Sequence, residues 1–286
     1  MNPPRLDRLS ALLDGLAPVV SLTAADDPVG APVRSGPPTE RDLTVYLLSG
    51  GSMRLRWAGG SAVVHGPALV ALRARQAHSL EDLPPPDQGR LICAHTHLPG
   101  PVAPLFLEAF VQPRVLSLVD DEPAVRLAMS MIELELDAPR CGQPALLNRA
   151  GDILFIGLLR YLVAHPSPNG AGLFNGLADP RIARALVAMH QRPGADWSLE
   201  RLADEAGMSR TAFASAFRQV MQRTPGKYLS AIRLATAQRA VELGKGLKEA
   251  ARAAGYGNVS ALSRALSRAR LLAQPAPTPH PPRPST

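Results

Sequence analysis

The 286-residue sequence predicts a mixed α+β protein, with an N-terminal antiparallel β-barrel or sandwich plus helices, then an all-helical region holding two helix-turn-helix motifs. Between residues 43 and 97, short apolar runs alternate with polar residues and are cut by turn signals. Beyond residue 122 the apolar period lengthens to that of a helix. In the last third, a pattern of small residue, glycine turn and paired apolar residues occurs twice.

Taken in order, Leu43, Val45 and Leu47 alternate with Thr44 and Tyr46, and a turn follows at Ser49-Gly50-Gly51-Ser52. Met53, Leu55 and Trp57 then alternate with Arg54 and Arg56, the syntax of a hairpin. Ala58-Gly59-Gly60 turns the chain again. Further runs at 62–65, 68–72 and 91–97 are separated by Gly66-Pro67 and a Pro-rich loop over 81–89. About five or six short strands are expected. Val125, Met129, Ile132 and Leu136 place a helix over 122–137, and a very apolar helix follows over 145–164. The two are expected to pair antiparallel and, being apolar over more than one stripe, to pack both on the barrel and on a second copy of the chain. Residues 166–176, with Ser, Asn and Gly, read as a linker, and 274–286, with 6 prolines in 13 residues, as a disordered tail.

From 179 onward the breaks carry caps. Asp179-Pro180 is an N-cap with proline at the first helical position, and Ser198 and Ser209 cap two short helices joined through Gly207. Ala203 lies four before Gly207, where a small side chain lets the helices approach. The arrangement recurs with Ala251 four before Gly255, and Leu262 and Leu266 take the places of Phe213 and Phe217. The offset is 48 residues at the glycines and 49 at the apolar pair, so the second turn is one residue longer. A long helix over about 226–243 joins the copies and suits two successive major-groove entries roughly 34 Å apart.

Charge follows the same division. The formal net charge is +7, but residues 1–178 hold 14 basic and 17 acidic side chains, a net of −3, while 179–286 hold 17 and 7, a net of +10. A local basic excess of that size points to a polyanionic partner. The two cysteines, Cys93 and Cys141, form no CxxC pair and fit a reducing compartment. Residues 1–20 mix Asp7, Asp14 and Arg8 into their apolar stretch, unlike a signal peptide, and 153–164 is broken by Arg160 and shorter than the roughly 20 residues that cross a bilayer. A cytoplasmic protein without a membrane partner is expected.

The run Trp197-Ser198-Leu199-Glu200-Arg201-Leu202-Ala203, then Gly207-Met208-Ser209-Arg210, Phe213, Phe217, Thr224-Pro225, Tyr228-Leu229, Arg233-Leu234 and Ala237, resembles the DNA-binding domain of AraC-type transcriptional regulators. The second copy continues the resemblance through Gly255-Tyr256, Ser260-Ala261 and Ser263-Arg264. The N-terminal region resembles the cupin-type ligand domain that a subgroup of the family carries, including Asp179-Pro180-Arg181-Ile182 at the junction. Family members usually have two Phe where Leu262 and Leu266 stand. The family's closing stretch, a Gly and a Ser-Pro before an aromatic and a basic residue, is replaced after Arg268 by Leu271-Leu272-Ala273-Gln274-Pro275. The resemblance implies a cupin-like sensor and dimerisation domain over 1–172, a double helix-turn-helix DNA-binding domain over 173–273 and the tail over 274–286.

On that organisation Arg210, Thr211, Ala214 and Ser215 of the first recognition helix, and Val259, Ser260, Ser263 and Arg264 of the second, face the groove. Arginine forms paired hydrogen bonds to guanine N7 and O6, so Arg210 and Arg264 are the leading base-reading candidates. Arg218, Lys227 and Arg268 are placed for phosphates. In the barrel, Cys93, His95 and His97 alternate along one strand and project from one face, a candidate sensor for a metal or an oxidant. The competing reading is of ordinary hydrogen-bonded histidines. The usual cupin metal pattern pairs His-x-His with a nearby Glu, whereas the next acid after His97 is Glu108. No cofactor or resident metal is expected, and no constellation suits general acid–base or nucleophilic chemistry, so the chain is expected not to be an enzyme. Its expected partners are double-stranded DNA, an unidentified small-molecule or redox effector, a second copy of itself and RNA polymerase. The competing class is a cupin-like metal-binding enzyme or small-molecule binding protein with a basic helical appendage.

Overall fold

The computed structural model describes residues 7–24, 39–83, 90–118, 123–166 and 171–273. Its first element is a helix, α1 (Arg8–Leu16), capped by Asp7, whose carboxylate accepts from the amides of Leu9 and Ser10. Eight strands follow among the described residues: β1 (Val19–Ala24), β2 (Asp42–Leu48), β3 (Ser52–Trp57), β4 (Gly60–His65), β5 (Ala68–Arg73), β6 (His78–Asp82), β7 (Leu91–His97) and β8 (Arg114–Ser117). They form two antiparallel sheets in the orders β1-β7-β2-β5-β8 and β4-β3-β6.

Strand alternation assigns each face of the larger sheet its own core. Tyr46, Leu48, Val70, Leu72 and Cys93 pack against Met53, Leu55 and Val64 of the smaller sheet. Leu43, Val45, Leu47, Leu69 and Ile92 face the helices and join the main core. Both faces of β2 are therefore buried, which is why Thr44 and Tyr46, polar in an alternating pattern, sit inside. The expected five or six strands fall short of the observed set. β1, β6 and β8 were not anticipated, and Glu81 and Asp82, expected in a loop, lie in β6.

After β7 come α2 (Ala103–Leu107), a 3-10 turn over Glu108–Phe110, and then the paired helices α3 (Pro123–Asp137) and α4 (Gln143–Ala164). Two glycines on α4 set how closely it packs. A Cβ at Gly151 would sit 2.6 Å from Cγ1 of Val20 on β1, and one at Gly157 would sit 2.1 Å from Cγ2 of Val125 on α3. The expected linker over 166–176 is shorter than the composition suggested, because Leu173 to Gly176 belong to a helix, α5 (Leu173–Ala178). Leu173, Phe174 and Leu177 are buried, and that apolar spacing outweighs the local Asn and Gly content.

The remaining helices are α6 (Pro180–Gln191), α7 (Leu199–Ala206), α8 (Arg210–Met221), α9 (Pro225–Glu242), α10 (Leu247–Ala253) and α11 (Val259–Ala273). The main core runs without a break from the barrel into this bundle. Phe174 meets Phe106 and Phe110 edge-on at 5.7 and 6.2 Å, and Leu186, Phe217 and Met221 continue the same cluster. Polar contacts flank the seam: Arg8 donates to Leu177 O at 2.8 Å, Gly172 N to Val220 O at 2.9 Å, and Arg41 pairs with Glu242 at 3.1 Å. Glu108 pairs with Arg223. Among the described residues no helix is long and apolar enough to cross a membrane. The tail over 274–286 lies outside the described residues.

Val125 is fully buried and stiff at its branched Cβ, so it has little freedom to yield to a new methyl group. Gly157→Ala is expected to destabilise the chain by about 1–3 kcal/mol through overpacking. Thermal unfolding followed by circular dichroism would read this as a lowered midpoint; an unchanged midpoint would place the α3–α4 contact elsewhere.

Candidate nucleic-acid interface

Short capped helices build the first motif. Ser198 accepts from Arg201 N at 3.1 Å to start α7, and Ser209 from Ala212 N at 3.3 Å to start α8. Between them Gly207 adopts φ +65, a left-handed conformation suited to glycine. Ala203 is buried beneath this turn. The inner face of α8 carries Phe213, Phe217 and Met221 into the main core, with Phe213 and Phe217 edge-on at 5.6 Å. On its outer face Arg210, Thr211, Ser215 and Arg218 are exposed and Ala214 is half-buried. Lys227, exposed in the first turn of α9, donates its amide to Thr224 Oγ1.

The second motif repeats this construction with smaller residues. Gly255 turns the chain at φ +74, and Asn258 Oδ1 accepts from Ala261 N at 2.8 Å at the start of α11. Its core is separate from the main one and consists of Ala237, Ala240, Ala250, Ala251, Ala254 and Leu262, with Tyr256 and Leu266 packed against it. Ser260, Arg264 and Arg268 are exposed along one face of α11, while Val259 and Ser263 are half-buried beside them.

Pairing sorts the cations. Arg181, Arg192 and Arg201, on or beside α6 and α7, are held by Asp179, Glu205 and Asp196 at 3.1, 3.2 and 3.3 Å. Arg210, Arg218, Lys227, Arg264 and Arg268 make no ion pair among the described residues. The two outer faces thus present uncompensated positive charge beside small hydroxyl side chains. Sequence reasoning missed Lys248 and Arg252, which line a groove of 910 Å³ with Tyr256 and Asn258 at the mouth of the second turn. Their signal was basic residues on the helix before the turn, a position read only for its small residues.

In the barrel, the register places Cys93, His95 and His97 opposite Tyr46, Thr44 and Asp42, on one face as expected. They do not assemble into a three-ligand site. Cys93 Sγ lies 3.6 Å from His95 Nε2, whereas His97 Nδ1 turns to Asp42 Oδ1 at 2.7 Å. Burial pushes the Asp42 carboxyl up, but the Thr39 amide and His97 outweigh it and hold it below the usual range. Among the described residues no group of three His, Cys, Asp or Glu side chains could hold a metal ion. Cys93 is only 1% exposed, so the expectation of an accessible reactive thiol is corrected: its side chain belongs to the inter-sheet core. A second polar pair, unforeseen in the sequence, lies nearby. Tyr46 OH and His78 Nε2 are 2.8 Å apart, and His78 Nδ1 donates to Gln76 O at 2.7 Å, which leaves Nε2 of the neutral ring to accept the tyrosine proton.

Comparison with known proteins follows the same division. A family model described as Cupin matches residues 7–164, and one described as Helix-turn-helix domain matches 202–270. A putative AraC-like transcription regulator of Streptomyces lividans is 31% identical over 160 residues, covering 54% of this chain and 53% of that protein. The HTH-type transcriptional regulator AlkR of Acinetobacter baylyi is 30% identical over 145 residues, covering 50% and 47%. The chain thus spans about half the length of the curated relatives it matches. Among solved structures, unsaturated-fatty-acid-bound ToxT from Vibrio cholerae overlaps 88% of this chain and 90% of its own, at 14% identity and a TM-score of 0.36, too low to transfer a ligand or a site.

The buried pair His190–Tyr228 ties α6 to α9 beneath α8, with Nε2 and OH 2.8 Å apart and His190 Nδ1 lacking a partner among the described residues. Burial lowers the His190 pKa from 6.5 to about 4. The folded chain therefore excludes a proton that the unfolded chain binds, so the associated stability is complete above pH 6.5 and lost as pH falls toward 4. The loss amounts to roughly 3 kcal/mol. Urea unfolding at a series of pH values should show this acid slope, and His190→Phe should flatten it; a slope unaltered in the variant would assign it to other groups.

Proposed function

Because the chain belongs to the AraC-type transcriptional regulators with an N-terminal cupin domain, we propose that it is a sequence-specific DNA-binding regulator whose barrel receives a signal. One observation carries the reading: the cations Arg210, Arg218, Arg264 and Arg268 on the exposed rows of α8 and α11, and Lys227 at the start of α9, make no ion pair among the described residues, while Arg181, Arg192 and Arg201 are paired with carboxylates. In this reading residues 1–172 form the sensor and dimerisation unit and 173–273 the DNA-binding unit, acting in the cytoplasm. Arg210 and Arg264 read bases, helped by Thr211, Ala214, Ser215, Ser260 and Ser263, while Arg218, Lys227 and Arg268 hold phosphates. The effector is a small molecule received by the N-terminal domain, where the polar pairs Cys93–His95 and Tyr46–His78 lie. RNA polymerase is a further partner in this proposal. The relatives are named as transcription regulators, which supports a non-catalytic role.

A second copy of the chain supplies the dimer. Leu127 and Leu134 on α3 are 73% and 68% exposed and lie seven residues apart on one helical face. Isolated exposed leucines are ordinary, but a pair aligned over two turns fits an interhelical seam.

Binding is tested by titrating the full chain against a duplex enriched from random sequence. Arg264→Ala should cost about 1–3 kcal/mol and relax one base position, whereas Lys227→Ala should weaken all sequences alike and reduce the salt slope by about 1. A wild-type affinity independent of salt would favour the competing class of barrel protein. Replacing Leu127 and Leu134 together by Asp should convert a dimer into a monomer in sedimentation at micromolar concentration. A monomeric wild type under those conditions would sink the seam.

A further inference from the structure

Two recognition helices read one duplex only if their separation matches the pitch of the groove. Each base pair advances about 3.4 Å along the axis, and 10–10.5 of them make one turn. α9 alone is a weak gauge of that separation. The loop after it holds Gly244, at φ +82, and Gly246, and the core that holds α10 and α11 against it is mostly alanine, whose single methyl groups interdigitate little.

A second connection exists. The loop between α6 and α7 reaches across and touches the turn of the second motif, backbone against backbone. A Cβ at Gly194 would lie 2.7 Å from Ala253 O, and one at Gly255 would lie 2.8 Å from Gly194 Cα. The loop is fixed from both sides. Arg233, half-buried on α9, donates from Nε to Pro193 O at 2.9 Å and from Nη2 to Ala195 O at 2.7 Å. Trp197 donates to Arg192 O at 2.7 Å, and the Arg192 guanidinium lies over the indole at 5.1 Å. Neither Gly194 nor Arg233 lies on a recognition helix, and Arg233 is spent on carbonyls rather than left free for DNA.

We infer that the 193–195 loop, with Arg233 as its positioning residue, sets the distance between the two recognition helices and so fixes the spacing of the two sequence blocks the protein accepts. The forked guanidinium bonds two carbonyls of one turn at once, a geometry an ammonium cannot reproduce. Glycine at both 194 and 255 lets the backbones meet, and any side chain at 194 drives the second motif away from the first. This inference rests on the reading of the chain as a DNA-binding regulator.

The full-length chain is first used to enrich a duplex from random sequence. Binding is then measured on that duplex, on versions with one base pair inserted or removed between the two enriched blocks, and on a duplex carrying the first block alone. The wild type is expected to lose about ten-fold when the spacing changes by one base pair. Arg233→Lys and Gly194→Ala are each expected to bind the single block within about two-fold of wild type, lose about ten-fold on the enriched spacing, and no longer discriminate between spacings. Binding of the single block also reports that each variant is folded, and the lysine variant keeps the charge, so loss of positioning is separated from loss of a phosphate contact. Variants that keep the wild-type spacing profile overturn the inference, as does a loss equal on every duplex. Enrichment of one block only leaves DNA binding standing and overturns the spacing role. Enrichment of nothing overturns both.

Discussion

Phe174 is the residue on which the two halves of the molecule depend. It contacts Phe106 of α2 and Phe110 of the 3-10 turn that follows β7, and the same core continues into Leu186 and, on α8, Phe217 and Met221. The N-terminal domain and the first helix-turn-helix motif are therefore joined by packed side chains rather than held apart by a tether. Packed interiors are dense and transmit displacement. A signal that changes the fit of the barrel's helices can then bias the placement of α8, within the limit set by its differential affinity for the two arrangements. The polar contacts along the seam, Arg8 on the α5 carbonyls and the pairs Arg41–Glu242 and Glu108–Arg223, fix register and add little of their own.

Electrostatics complements this core. A net charge of +7 spread evenly would say little about a surface. Carboxylates at 179, 196 and 205 engage Arg181, Arg201 and Arg192, while the outward rows of α8 and α11 are left uncompensated. The buried His190–Tyr228 pair does the opposite. It keeps an ionisable ring neutral inside the same bundle, tightening the floor on which α8 rests.

Much of this was legible in the sequence where local chemistry decides conformation. Asp179, Ser198 and Ser209 cap the helices their positions suggest, and Gly207 and Gly255 occupy left-handed turns. The strands β2 and β3 follow the alternation of their residues, and β5 follows its continuous apolar run. What was not legible depends on tertiary partners. β6 has a single apolar residue, Leu80, and β8 only two, so their strand character comes from the neighbours they pair with. The apolar spacing of α1 was hidden by Arg8, which turns to the α5 carbonyls, and by the exposed Asp14, and that of α5 by its Asn and Gly. For the candidate site, the spacing of Arg210, Arg218, Arg264 and Arg268 was visible. Which arginines are unpaired, and that Cys93 is sealed between sheets while His97 turns to Asp42, required the packed molecule.

On the proposed reading, the alanine-built core of the second motif bears on how the protein leaves DNA. Alanine contributes little apolar area per residue, so that motif is held by less hydrophobic stabilisation than the first, which rests on Phe213, Phe217 and Tyr228. Segments with few buried apolar contacts open at lower free energy than the cores beside them. On that reading the second motif, the more weakly held of the two, is the part that opens first on DNA, and the residence time of the whole protein depends on its smallest side chains.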